Sequence, residues 1–160
     1  MSKSNLLQKV SAGELLKLDH QLCFALYSSS LAMTKLYKPL LDPLNLTYPQ
    51  YLAMLVLWER DAITVSELGQ RLQLDSGTLT PLLKRLEASG LIHRERDHAD
   101  ERRVLLHLTA AGRALRNRAA KVPAQVACAA GCSLEELAAL TQRLKQLRDE
   151  LRAHPDAAGG

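Results

Sequence analysis

Residues 63–109 constrain the fold more than any other part of the chain. "ITVSELGQRLQL" reads as a short extended piece followed by a capped helix from Ser66. Asp75 opens a second helix, "DSGTLTPLLKRLEASGL". Gly90 followed by Leu91 closes it, because a left-handed C-cap favours a residue without Cβ and is commonly accompanied by a hydrophobic contact just after it. Pro81 either kinks the first turns of this helix or pushes its regular start later. "LIHRERD" and "RRVLLHLT" then read as two strands joined by the polar turn "HADE". Two short helices around a tight turn, followed by a charged hairpin, make a winged helix-turn-helix.

Long helices flank this unit. Apolar residues recur at helical spacing from Glu14 to Leu36, at Leu15, Leu18, Leu22, Leu26 and Met33, and Pro39 and Pro43 end that helix. Thr47 as N-cap, with Pro49 in the first turn, starts another. Thr109 caps a further long helix that Pro123 and Gly131 weaken. Ser133 with Glu136 forms a capping box for a last helix ending near Arg152. The expected fold is mainly α with a small β-hairpin wing, a winged helix-turn-helix with long flanking dimerisation helices. Residues 1–46 would be the N-terminal dimerisation helix and linker, 47–108 the winged region, 109–153 the C-terminal dimerisation helices and 154–160 a disordered tail. The flanking helices carry apolar faces that so small a module cannot cover, so a symmetric homodimer is expected.

With 160 residues, 47% of them hydrophobic, the chain can bury one real core. No apolar run approaches the length of a membrane span, and "MSKSNLLQKV" lacks the pattern of a signal peptide. A cytoplasmic protein without a membrane partner is expected. A net charge of +4 permits a polyanion partner. The 4% aromatic content argues against a sheet that stacks bases. Three cysteines, an odd number, argue against a structural disulfide framework in a reducing compartment, so any disulfide here would be transient and functional.

The helix after Asp75 has the chemistry needed to meet DNA. Ser76, Thr78 and Thr80 are short hydroxyls able to reach base edges or phosphates, and Gly77 lets backbone come close. Pro81, Lys84 and Arg85 continue the same stretch. Taken alone, the stretch could equally be a capped surface helix with solvated charges. The hairpin adds Arg94, Arg96, Arg102 and Arg103, interleaved with Glu95, Asp97, Asp100 and Glu101. An arginine at a wing tip suits a narrow minor groove, and Asp100 is expected to orient Arg102.

"DERRVLLHLTAAG", with Asp100, Arg102, Leu108, Thr109 and Gly112, resembles the wing-and-helix signature of MarR-type repressors. "LCFALYSSSLAMTKLYKPLLDPLNLTYPQYLAMLVLWE" and "LDSGTLTPLLKRLEASGLIHRERD" resemble, more specifically, the organic hydroperoxide resistance regulators of that family, in their two-cysteine subgroup. The likeness spans about Leu18 to Gly112. It implies a dimeric winged-helix repressor that binds double-stranded, pseudo-palindromic operator DNA and is released by organic hydroperoxides. It implies that Cys23 is the peroxidatic thiol, that Tyr37 and Tyr48 hydrogen-bond its sulfur, and that a C-terminal thiol resolves the sulfenic acid as a disulfide between subunits. Cys128 is expected to be that thiol, with Cys132 as fallback because it follows Gly131 at an expected helix break.

The residues around Cys23 do not demand this role. The cysteine sits in an ordinary amphipathic run, where packing as a small apolar residue would explain it. No lysine or arginine lies within a turn, and His20 and Tyr27 are the polar neighbours. On one straight helix Cys23 and Tyr37 stand about 21 Å apart, so their contact requires a sharp bend or the other subunit. Leu22, Phe24 and Met54 are expected to line the thiol. Three other functions fit parts of the pattern. A thiol peroxidase would use the same cysteines, although no Cys-X-X-Cys motif is present. A repressor released by a small phenolic ligand would need none of them. A metal sensor could use His20 with Cys23 or Cys128 with Cys132. No enzyme activity, cofactor or metal is expected.

Overall fold

The computed structural model describes residues 12–154, as eight α-helices, two 3-10 turns and three strands. The long helix expected from Glu14 is broken. α1 (Ala12–Leu15) is a single turn, a 3-10 turn covers Leu18–His20, and α2 (Leu22–Leu41) begins after Gln21, which is extended. Side chains cause the break: the Gln21 amide donates to the carbonyls of Leu15 and Lys17, and His20 Nδ1 lies 2.8 Å from the Glu14 carbonyl. Those side chains satisfy carbonyls that a helix end would otherwise leave orphaned.

Pro39 does not end α2, which runs on to Leu41. The ring removes one N–H from the ladder, but it stands on an exposed stretch where water can meet the freed carbonyl. Pro43 falls in the following 3-10 turn, Asp42–Leu44, which Asn45 closes with a φ of +53°.

The next elements follow their caps. α3 (Tyr48–Glu59) starts from a capping box of Thr47 and Gln50. α4 (Val65–Leu72) is capped by Thr64 with Glu67, one residue earlier than Ser66 at the expected start, directly after the short strand β1 (Ile63–Thr64). α5 (Ser76–Ala88) is capped by Asp75, which accepts the Thr78 N–H, and it keeps its regular start with Pro81 inside it. Gly90 has a φ of +69°, and the Leu91 N–H reaches the Leu86 carbonyl at 3.1 Å, the C-cap read from the sequence. β2 (Ile92–Arg96) and β3 (Val104–Leu108) pair antiparallel with Ile92 opposite Leu108, and β1 joins the other edge of β3 with Ile63 opposite Leu106.

The single long helix expected after Thr109 is two, α6 (Ala110–Ala119) and α7 (Val122–Ala130). Pro123 explains the division, since its fixed φ and missing N–H suit the first turn of a new helix. Gly131, at φ +64°, ends α7, and the Ser133–Glu136 box starts α8 (Leu134–Ala153). Of the tail expected over 154–160, all but His154 lies outside the described residues.

α3 is the centre of the core. Its Tyr51, Ala53, Met54 and Leu57 are buried against Leu41 of α2, Leu68 of α4, Leu83 and Leu86 of α5, Ile92 and Leu106 of the sheet, and Val122 and Val126 of α7. Polar ties fix α6 on this core: Trp58 Nε1 donates to the Gly112 carbonyl at 2.9 Å, and Asp61 accepts the Leu108 N–H at 2.9 Å while pairing with Arg113 at 2.8 Å. The first half of α2 and all of α8 differ. Leu22, Phe24, Leu26, Leu31 and Met33 stand exposed, as do Leu134, Leu140, Leu144 and Leu151. No helix among the described residues is long and apolar enough to cross a membrane.

Candidate nucleic-acid interface and thiol site

α5 has two faces. Leu79, Leu82, Leu83 and Leu86 are buried, while Ser76, Gly77, Thr78, Thr80, Pro81, Lys84 and Arg85 are all exposed. Every residue expected to meet DNA on this helix is therefore on its open side. The leading turn is rigid. Asp75 accepts the Thr78 N–H at 2.8 Å and the Thr78 hydroxyl at 3.1 Å, which holds the Asp75 carboxyl below its ordinary range. Thr80 donates its hydroxyl to the Ser76 carbonyl at 2.8 Å. Both threonine hydroxyls have thus spent their proton inside the helix. What they offer outward is a lone pair, suited to an amino group on a base edge.

Tertiary contacts sort the hairpin arginines. Arg94 is held by Glu87 of α5 through Nε at 3.0 Å and Nη2 at 2.7 Å, so it ties the wing to the helix. Arg103 faces Asp97 at 3.7 Å. Arg102 projects at the tip with its side chain 94% exposed. Asp100 touches it twice, accepting the Arg102 backbone N–H at 3.1 Å and lying 3.5 Å from Nε. Between α4, α5, β3 and the end of α8 lies an open cleft of about 900 Å³, walled by Ser76, Thr80, Arg94, Arg102 and Arg103 among others. The hydroxyls of α5 and the arginines of the wing thus share one concavity.

The thiols lie elsewhere. Cys23 is the second residue of α2 and Cys128 lies in α7, and both are exposed. Cys132 follows the left-handed Gly131 and is half-buried, and all three are free. Cys23 occupies the first turn of its helix, where backbone N–H groups lack intrahelical partners and negative charge is favoured. Exposed Leu22 and Phe24 flank it. Met54 does not, because it is fully buried in the core, so its expected place in the lining is corrected. His20 Nδ1 lies 2.8 Å from the Glu14 carbonyl oxygen and 3.7 Å from the Glu14 carboxylate.

Tyr37 and Tyr48 come together with ring centroids 4.8 Å apart, and Tyr51, which the sequence reading did not single out, lies 5.6 Å from Tyr37. The signal for Tyr51 was its position three residues after Tyr48 on one helix face. Burial, with the neighbouring Tyr51 and Tyr48, pushes the Tyr37 phenol up to about 12, and burial raises Tyr48 as well. Both phenols therefore keep their protons near neutrality and can donate a hydrogen bond. α2 runs unbroken from Leu22 to Leu41, which removes the sharp bend as a route between Cys23 and Tyr37 in one chain.

Comparison with known proteins gives a consistent set. Residues 35–118 match the family described as transcriptional regulator SarA/Rot. The chain is 52% identical over 136 residues to the organic hydroperoxide resistance transcriptional regulator of Bacillus subtilis strain 168, covering 85% of this chain and 92% of that one. Among solved structures, reduced AbfR bound to DNA aligns with a TM-score of 0.66 at 35% identity, over 88% of this chain and 98% of that one. AbfR, from Staphylococcus epidermidis, also matches in its disulfide form, with a TM-score of 0.58 at 36% identity over 91% and 98% of the two chains. The named regulators in this set are transcription factors rather than enzymes.

Proposed function

The chain belongs to the MarR/SarA-type winged-helix family of transcriptional regulators, and from that premise we propose that it is a homodimeric repressor whose operator binding is switched off by organic hydroperoxides. The exposed face of α5 reads the major groove through Ser76, Gly77, Thr78, Thr80 and Pro81. Lys84 and Arg85 meet phosphates, and Arg102, oriented by Asp100, enters the minor groove. The helices of 1–46 and 109–153 supply the dimer contacts around the reading unit of 47–108. Two copies then present two α5 helices to a pseudo-palindromic duplex.

The Cys23 thiolate attacks the distal oxygen of the hydroperoxide. The O–O bond breaks, the alkoxide takes a proton and leaves as alcohol, and the sulfur is left as a sulfenic acid. Tyr37 and Tyr48 of the other subunit donate to the sulfur. The Cys128 thiol then attacks the sulfenic sulfur, expelling water and joining the subunits by a disulfide. A hundredfold loss of operator occupancy requires about 2.7 kcal/mol. A disulfide can supply it, because its narrow span of α-carbon separations forces helices to move when the starting gap is longer.

One observation carries the reading: Cys23 and Cys128 are both free and exposed in the single chain, on α2 and α7, and Cys23 lies within the uncovered apolar face of α2. AbfR's structures in DNA-bound and disulfide forms support it by analogy. The test is DNA binding by wild type and Cys23→Ser, with and without cumene hydroperoxide. Wild type should release DNA and run as a covalent dimer on a non-reducing gel, while Cys23→Ser keeps its DNA. Release by Cys23→Ser would rule out Cys23 as the sensor. A covalent dimer persisting in Cys128→Ser would move the resolving role to Cys132.

A further inference from the structure

The cleft beside α5 contains an arginine that the helix-turn-helix and wing do not supply. Arg152, in the last turn of α8, lines it together with Ser76, Thr80, Arg94 and Arg102. Its Nη2 donates to Gln73 Oε1 at 2.6 Å. Gln73 is the left-handed C-cap of α4, in the turn between α4 and α5. The last helix of the chain therefore touches the turn that sets the angle of the reading helix.

The charges in the cleft are unequal. Glu87 holds Arg94, Asp97 faces Arg103 and Asp100 faces Arg102. Arg152 is paired, among the described residues, only with the neutral amide of Gln73. Its positive charge is not compensated there, yet one edge of its planar fork is fixed. A guanidinium has five N–H donors, so the rest of the fork remains available. An oriented fork with open charge is the arrangement that suits a phosphate, since less entropy is lost per bond formed.

We infer that Arg152 is a further DNA-contact residue, holding a backbone phosphate of the duplex seated on α5. The inference rests on the reading of this face as the DNA surface. It makes the end of α8, twenty residues beyond Cys132, part of that surface. The contact carries no sequence information and adds to affinity through counterion release. The other role open to Arg152 is to sit favourably at the negative end of the α8 dipole, and that role leaves DNA binding untouched.

The test measures affinity of the reduced, full-length protein across a salt series. The probe is a mixed-sequence duplex of about 30 base pairs, long enough for two half-sites one helical turn apart. Wild type, Arg152→Gln and Arg152→Lys are compared. Arg152→Gln should lower the magnitude of the slope of log affinity against log salt by about 0.9 per protomer, hence about 1.8 for a dimer on two half-sites. Arg152→Lys should keep the wild-type slope, and thermal midpoints should stay together because the side chain is exposed. Arg152→Gln with unchanged slope removes Arg152 from the interface, whatever happens to affinity, since loss at constant slope reports packing. Wild type that binds no duplex sinks the DNA-face reading itself.

Discussion

Gly112→Ala should damage this protein more than any other loss or gain of a single methyl on α6. The added Cβ would lie 2.1 Å from the Leu91 carbonyl oxygen and 3.2 Å from Leu108 Cδ2. Carbon and carbonyl oxygen ordinarily approach no closer than about 3.3 Å, so the α6 backbone must retreat by roughly 1 Å. Nothing nearby yields cheaply. The Leu91 carbonyl accepts the Thr109 N–H at 3.0 Å, Gly112 N–H donates to Thr109 Oγ1 at 3.0 Å, and the Gly112 carbonyl accepts from Trp58 at 2.9 Å. Overpacking costs about 1–3 kcal/mol, loss of an N-cap about 1 kcal/mol, and a broken hydrogen bond about 1 kcal/mol. These terms overlap, so a loss of about 3 kcal/mol is expected. At roughly 2–4 °C per kcal/mol for a chain of this size, the midpoint should fall by about 10 °C. Circular dichroism melts at one fixed protein concentration measure it, because the midpoint of a chain that self-associates depends on concentration. Gly77→Ala is the control, since its Cβ would meet only the Asp75 side chain, at 3.1 Å. A Gly112→Ala midpoint within about 2 °C of wild type would refute the packing argument.

Arg102→Ala should leave the melting midpoint unchanged and reduce the salt slope of DNA binding by about one per protomer; an unaltered slope takes Arg102 out of the interface. Tyr37→Phe keeps the ring contacts with Tyr48 and Tyr51 but loses the donor. Because a hydrogen bond to a charged group is worth about 1.5–3 kcal/mol, oxidation of Cys23 by cumene hydroperoxide should slow at least about tenfold, with resting DNA affinity preserved. Equal rates of thiol loss in the two proteins would remove Tyr37 from the site. Burial raises the Asp61 carboxyl, but N–H groups of Leu108 and Ala62 and the Arg113 guanidinium outweigh it and hold it below the ordinary 3.8. Its contribution to stability is thus present above pH about 4 and lost as pH falls through the depressed value. Asp61→Asn should narrow the gap between urea midpoints at pH 7 and pH 3, and an unchanged gap would show that Asp61 does not carry it.

What the sequence made legible was chemistry confined to a few neighbouring residues. Thr47, Asp75, Gly90, Thr109 and Ser133 cap their helices as read, since each cap is decided within about four positions. The break at Gln21 is local too, but it comes from a side-chain amide bonding carbonyls four and six residues back, a pattern that apolar periodicity does not register. Pro39 stays inside α2, against the sequence expectation, because a proline's cost depends on whether water reaches the freed carbonyl, which is a tertiary property. The arginines show the same limit. Arg94 and Arg102 look alike in the string of the hairpin, but Glu87, seven residues before Arg94 and on another element, ties Arg94 back to α5. Arg102 meets only its neighbour Asp100 among the contacts described and projects at the tip.

The thiol site marks where a single chain ceases to be a sufficient description. Cys23 and Tyr37 belong to one uninterrupted helix, so fourteen residues of rise, about 21 Å, separate them within a subunit. Any mechanism in which a phenol from Tyr37 meets the sulfur must therefore take the phenol from a second copy. The same copy would cover Leu22, Phe24, Leu26, Leu31 and Met33, which stand exposed around and below Cys23. Completing the sensor and burying the apolar face are then one event. A variant that weakens the dimer should accordingly lose hydroperoxide sensitivity together with DNA affinity, because each half-site reader and each thiol depends on the same contact. Leu26→Glu places a charge on that face and leaves the tyrosines and α5 untouched. Sedimentation of this variant as a monomer, with the Cys23 reaction as fast as in wild type, would show that the phenols of the other subunit contribute nothing.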